Sequence, residues 1–194
     1  LNNIRHLARE NTVALLVSSE DGGKIVSEYF KGKGECPNII VGIDSGLHRE
    51  GLDPHGENTV TFIQQMQKSF GNQFKGISTH EGHCYRARSR RELKSIARRT
   101  RDLMLEVKER SEQAGIEIKE VQVGATPTFP HMSNTHNHDI TEAHPGTYAL
   151  MDNTQVKLGI AKPNECALTV LGTVIDKRMI DTSGGKRGRL FLHP

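Results

Sequence analysis

Along most of this chain, short apolar runs of strand length alternate with amphipathic stretches of helix length, and this alternation restricts the possible folds more than any other feature. Thr12 to Val17 reads as a buried strand, Asp21 to Lys33 as a helix stopped by Gly34, and Asn38 to Ile43 as a second buried strand. Glu57 to Phe70 places Val60, Ile63, Met66 and Phe70 at helical spacing before Gly71, and Phe74 to Ser78 follows as a third strand. The longest helix is predicted from Ser89 to Ala114, with Leu93, Ile96, Thr100, Leu103, Met104 and Val107 on one face and Gly115 as its stop. Ile118 to Val123 supplies a fourth strand and Ile140 to Ala143 a short fifth. This rhythm predicts right-handed βαβ units and a parallel sheet, with ligands held beyond the carboxyl ends of the strands. After Asp152 the rhythm stops. Glu165 to Asp176 is a long apolar run with no helix behind it, followed by Gly184, Gly185 and Lys186. A first unit at 1–155 is therefore expected to lead into a β-rich second unit at 156–194.

The 194 residues suffice for one domain with a real core and fall short of two comfortable ones. A net charge of +3 selects no partner. The basic cluster from Arg86 to Arg101 opens the long helix, and no aromatic side chains alternate with its arginines. It predicts a solvated helix face and no nucleic acid. Cys36, Cys84 and Cys166 are odd in number and lack any C-x-x-C spacing, which predicts reduced thiols in a cytoplasmic protein. No run of about 18 apolar residues and no signal pattern occurs, so neither membrane insertion nor export is expected.

The predicted strand ends carry the chemistry. Asp44-x-Gly46-x-x-Arg49-x-Gly51 combines sharp-turn glycines with an arginine able to hold an oxygen anion, although an outward arginine in a plain turn fits equally. His80-x-x-His83 with Tyr85 offers imidazoles that can stack on a ring, hydrogen-bond a phenolate or bind a metal; two loop histidines satisfied by neighbours would look the same. Gly124-Ala-Thr-Pro-Thr128 presents successive N–H groups and hydroxyls, a phosphate nest without the lysine of a P-loop, and Pro145-Gly146-Thr147-Tyr148 repeats that chemistry one strand later. A competing constellation is His131, His136, His138 and Asp139, whose spacing suits Zn²⁺ or Mn²⁺ but which lies in a loop-like stretch.

Taken in order, these segments resemble the D-threonine aldolase and D-serine dehydratase group of pyridoxal-phosphate enzymes, whose N-terminal domain is an alanine-racemase-type barrel. The likeness runs from the Thr12 strand through Thr79 to Tyr85, Val123 to Thr128, Pro145 to Tyr148 and Asp152 to Val156, and on to Cys166 to Val174. It implies an incomplete (β/α)8 TIM-type barrel followed by the start of a C-terminal β-domain. It further implies that Arg49 lies by the cofactor's phenolic oxygen and that His80 packs against its pyridine ring. Gly124, Ala125 and Thr126, with Gly146 and Thr147, would hold the phosphate. Tyr148 would form a pocket wall, with His83, Tyr85 and His144 as further pocket residues. In alanine racemases an arginine meets the ring nitrogen where His144 stands here, which speaks against racemisation.

The family's cofactor lysine ends the first barrel strand, and only the helix-like Leu1 to Arg9 precedes Thr12. The resemblance thus implies an internal fragment that lacks this lysine and is inactive alone, binding pyridoxal phosphate weakly. It places the divalent metal (Mn, Mg or Zn) in the C-terminal β-domain, with no metal site in this chain. The implied activity is retro-aldol cleavage of D-β-hydroxy amino acids. D-serine dehydratase, an ammonia-lyase, and a non-catalytic pyridoxal-phosphate-binding protein are the alternatives. A small D-amino acid is the expected substrate, the full-length enzyme is expected to be a homodimer, and an opened barrel is expected to expose apolar surface at its unpaired strands.

Overall fold

The computed structural model describes residues 1–132 and 139–193. After helix α1 (Asn2–Leu7), strands and helices alternate as β1 (Ala14–Val17), α2 (Glu20–Phe30), β2 (Asn38–Gly42), α3 (Thr59–Phe70), β3 (Phe74–Ser78), α4 (Arg90–Gln113), β4 (Glu120–Val123), α5 (Phe129–Met132) and β5 (Glu142–Ala143). Helix α6 (Asn153–Lys157) and the strands β6 (Thr173–Thr182) and β7 (Gly185–His193) complete the described residues. Helix starts follow their capping residues: Ser19 and Ser89 accept the N–H groups of Gly22 and Glu92, which opens α2 and α4 where acidic side chains favour the helix dipole.

Strands β1 to β5 pair in chain order, and all the pairs are parallel. Each βα step moves the sheet one place in the same direction, which is the winding of a barrel and not of a doubly wound sheet. The sheet is an arc of an incomplete barrel. Its outer face carries Val17, Ile39, Val41, Ile77, Val121 and Val123, which pack against Val26, Phe30, Phe62, Ile63, Met66, Met104 and Val107 from the helices. The inner face is different: Ala14, Leu16, Ile40, Gly42, Ser78 and Gln122 line a cavity. Leu16 is 45% exposed while its outward neighbour Val17 is 3% exposed.

One glycine permits a close approach between two strands. Gly76 sits at φ +154°, and a Cβ there would stand 1.9 Å from the Glu120 carbonyl oxygen, so only glycine lets β3 lie against β4 with this register. The pairing of β2 with β3 also slips between Ile39 and Ile40.

The expected strands and helices form, with their ends displaced by a few residues. The apolar run from Glu165 to Asp176, read as having no helix behind it, is strand only in its last residues. It opens with a 3₁₀ turn at Pro163–Glu165, and strand structure starts only at Thr173. Leu168, Val170 and Leu171 are 82%, 81% and 95% exposed, because among the described residues no helix packs over them as one does over the sheet strands. Beyond it β6 and β7 form an antiparallel hairpin turned at Gly185 (φ +106°), with Lys186 exposed at its tip.

Candidate functional site

Because the five strands are parallel, the loops after β2, β3, β4 and β5 meet at one edge of the sheet. The first of them folds back on its own strand. Leu52 N–H donates to the Gly42 carbonyl and Asp44 N–H to the Leu52 carbonyl, both at 2.9 Å. Gly51, at φ +103°, is needed for the return, since a Cβ would lie 2.5 Å from the Asp44 nitrogen. Burial alone would raise the Asp44 pKa, but the N–H groups of Gly46 and His48 and the His48 ring outweigh it and hold the carboxyl low. This pinned loop carries Arg49 and Glu50 to the cavity wall, where the guanidinium pairs with Glu50 and keeps that carboxyl below its ordinary range.

The loop after β3 is tied to both neighbours. Thr79 donates its hydroxyl to the Ile43 carbonyl at 2.7 Å, and His80 Nδ1 lies 2.5 Å from the Gly124 carbonyl oxygen. Glu81, fully buried, accepts the Gly124 N–H at 3.1 Å and the Thr128 hydroxyl. Gly124 itself leaves no room for a side chain, since a Cβ would stand 2.5 Å from the His144 nitrogen. Beyond it Thr147 N–H donates to Thr126 Oγ1 at 2.9 Å, and Gln155 Nε2 donates to Thr147 Oγ1 at 3.1 Å.

On the inner face Gln122 stands between Ser78 and Glu142 in register. Its amide nitrogen donates to Glu120 at 2.9 Å and to Glu142 at 3.1 Å, while its oxygen faces His144 Nε2 at 3.1 Å. An amide oxygen can only accept, so His144 carries its proton on Nε2.

The resulting cavity has a volume of about 360 Å³, and Arg49, Glu50, His80, Gln122, Gly124 and His144 contribute its polar wall. Of the residues expected from sequence, Arg49, His80, Gly124 and His144 come together there. The others stand apart from the lining. Ala125 packs into a separate apolar cluster with Cys84, Leu93 and Ile96, and Tyr85 packs on that same cluster. Thr126 is buried, Gly146 and Thr147 lie one turn beyond His144, and Tyr148 is 59% exposed. His83 is carried away from His80 by the 3₁₀ turn Gly82–Arg86, so that its ring rests against Gly46. The Gly124 and Thr147 N–H groups, expected to be phosphate donors, are donated within the protein. Of the histidine-rich constellation, His136 lies outside the described residues, as does His138. Asp139 is paired with Lys108 at 3.2 Å, and no cluster of metal-ligating side chains occurs among the described residues.

Sequence reasoning missed Glu50, Glu81 and Gln122. Gln122 was legible as the polar residue between Val121 and Val123, the inward position of a strand with period two. Glu81 gave no signal, because nothing local shows that a loop carboxylate will be buried under the next strand's turn.

The chain is 27% identical over 143 residues to the D-serine dehydratase of Dictyostelium discoideum, covering 71% of this chain and 36% of that protein. It is also 27% identical over 161 residues to the D-threo-3-hydroxyaspartate dehydratase of Delftia sp. (strain HT23), covering 83% and 42%. It therefore spans less than half the length of either dehydratase. A solved structure of the Delftia enzyme superposes with a TM-score of 0.80 at 25% identity over 91% of this chain and 46% of that one. D-threonine aldolase from Filomicrobium marinum shares the fold, with a TM-score of 0.74 at 19% identity over the whole of this chain and 60% of that one. Residues 2–154 match the alanine racemase N-terminal domain, and the chain belongs to that family, its sheet being part of an alanine-racemase-like barrel.

Proposed function

We propose that this chain is the cofactor-binding portion of a pyridoxal-phosphate-dependent lyase that dehydrates D-3-hydroxy amino acids. The observation that carries the reading is the convergence of Arg49, His80, Gly124 and His144 on one cavity at the carboxyl edge of the sheet. The residues fit the cofactor. The Thr126 and Thr147 hydroxyls, which stand just outside the cavity lining, each accept an N–H, so those contacts do not consume their own protons. The Arg49 guanidinium suits a phenolic oxygen, and the His80 imidazole offers a flat face to an aromatic ring. No lysine lines the cavity among the described residues, and the reading assigns the covalent amine to a lysine outside this chain.

Bound there, pyridoxal phosphate supplies the electron sink that acidifies the substrate's α-hydrogen. The chain's own contribution is positional. Arg49 on the cavity wall would set the depth at which an anionic ligand enters, and the hydrogen-bonded Gln122–His144 pair stands where a racemase has an arginine. Loss of the α-hydrogen and the β-hydroxyl, followed by hydrolysis, converts D-serine to pyruvate and ammonia. Dehydration is favoured over retro-aldol cleavage because the relatives similar in sequence are dehydratases, whereas the aldolase likeness is one of fold.

The test is to incubate the full-length polypeptide that contains these residues with D-serine, D-threo-3-hydroxyaspartate and D-threonine in turn, with the cofactor and a divalent metal. Ammonia and a 2-oxo acid in equal amounts are expected. Glycine and an aldehyde would establish the aldolase instead, and absence of both would contradict the lyase reading.

A further inference from the structure

We propose that Glu81 is a positioning residue that fixes the tautomer of His80 by anchoring Gly124; its consequence for cofactor affinity rests on the reading above, but the tautomer does not. Glu81 is fully buried and makes no ion pair among the described residues. Burying a carboxylate without a cation is costly unless hydrogen bonds compensate, so the two donors that meet it define its role. They are the Gly124 N–H at 3.1 Å and the Thr128 hydroxyl, whose single proton is shared between Glu81 and the Ala125 carbonyl. Both belong to the turn after β4. One residue earlier, His80 reaches the same turn from the other side, with Nδ1 2.5 Å from the Gly124 carbonyl oxygen.

Adjacent residues of one loop therefore grip the N–H and the C=O of a single glycine in the next. A carbonyl oxygen accepts and cannot donate, so His80 carries its proton on Nδ1 and presents Nε2 as a lone pair. Gly82 keeps that nitrogen clear, since a Cβ there would stand 3.0 Å from Nε2. An unconstrained histidine side chain prefers the opposite tautomer, protonated on Nε2, and a glycine has the widest backbone freedom of any residue. Without Glu81 the Gly124 N–H loses its partner and the turn that aims the Gly124 carbonyl at Nδ1 is loosened, so the bias on His80 is weakened.

The experiment compares the protein with Glu81→Gln and Glu81→Met by long-range proton–nitrogen NMR of the His80 ring, above the ordinary histidine pKa. The glutamine oxygen can still take the Gly124 N–H while its amide donates to Thr128 Oγ1, whereas methionine keeps the volume and removes the acceptor. The original protein and Glu81→Gln are expected to show a protonated Nδ1, and folded Glu81→Met a mixture dominated by protonated Nε2. If Glu81→Met does not fold by its thermal transition, Thr128→Val, which removes one anchor of Glu81, is read in its place and is expected to show a partial shift. A protonated Nε2 in the original protein, or an unchanged tautomer in a folded acceptor-less variant, would overturn the proposal. In the full-length holoprotein the affinity for pyridoxal phosphate is expected to fall about 10-fold in Glu81→Met and to stay within about 2-fold in Glu81→Gln. A tautomer change without any change in affinity would leave Glu81 in its positioning role and count against the cofactor reading of the cavity.

Discussion

Strands β2 and β7 each carry three consecutive large apolar residues and end in opposite environments. In β2, Ile39, Ile40 and Val41 are 0%, 2% and 0% exposed, whereas in β7 Leu190, Phe191 and Leu192 are 54%, 39% and 58% exposed. The difference lies in how each strand connects to the next. Each sheet strand from β1 to β4 leads into a helix whose apolar stripe covers its outer face, but β6 turns straight into β7. The hairpin is held by its ladder and by a few side-chain contacts, such as Arg178 pairing with Asp176 and lying over the Phe191 ring. Strand propensity creates a ladder, and crossover connections create a core. Two strands alone are marginal in water, so the arc is where the stability of this chain resides.

The sharpest way to break that contrast is in backbone contacts. Gly76→Ala would drive a Cβ into the Glu120 carbonyl between β3 and β4 and is expected to cost more than about 4 kcal/mol, enough to abolish the cooperative urea transition. Gly184→Ala in the hairpin turn meets open space and is expected to leave that transition in place. Side-chain truncation follows in size. Ile77→Ala, fully buried in the arc, is expected to cost about 2–5 kcal/mol, and Leu192→Ala no more than about 0.5 kcal/mol, read as shifts of the urea midpoint. Equal losses at the two sites would refute the division between core and ladder.

A smaller effect comes from His83 at the arc's edge. Burial holds its pKa below the ordinary value of 6.5, with Arg99 and His48 acting in the same sense and Glu81 and Asp44 opposing. The unfolded chain therefore takes up this proton at a higher pH than the folded one. The contribution of His83 is present above 6.5 and is lost as the pH falls below it. The urea midpoint should drop between about pH 7.5 and about pH 5.5, and less steeply in His83→Gln. An identical slope in both proteins would remove His83 from the account. Smallest is the reactivity of Cys84, whose thiol burial pushes up to about 12. Alkylation of the folded protein near neutral pH should label Cys166 and leave Cys84 intact until urea unfolds the arc, as peptide mapping would show.

The arc was legible because its signals are local and periodic. Apolar runs at strand length, helical stripes such as Ile63 with Met66, and stops at Gly71 and Gly115 each act within a few residues. The parallel order then placed Arg49, His80, Gly124 and His144 at one edge without knowledge of any distance. Tertiary contact decided the rest. Thr126 and Thr147 are joined to each other and not to the cavity wall, and the donor that Gly124 offers is taken by a carboxylate 43 residues earlier. The run from Glu165 to Asp176 reads as apolar with no helix behind it, and Leu168, Val170 and Leu171 are exposed there, because burial needs a partner surface that composition does not contain.

Whether the polar edge of the arc takes an anionic aldehyde cofactor is decided by titrating the protein with pyridoxal phosphate and following backbone amide shifts. Weak binding suffices for this measurement. Perturbations are expected to centre on Arg49, His80, Gly124, Thr126, His144 and Thr147 and to be partly reversed by inorganic phosphate, with β6 and β7 unmoved. Perturbations centred on the hairpin or on the basic helix α4, with those six residues unmoved, would contradict it.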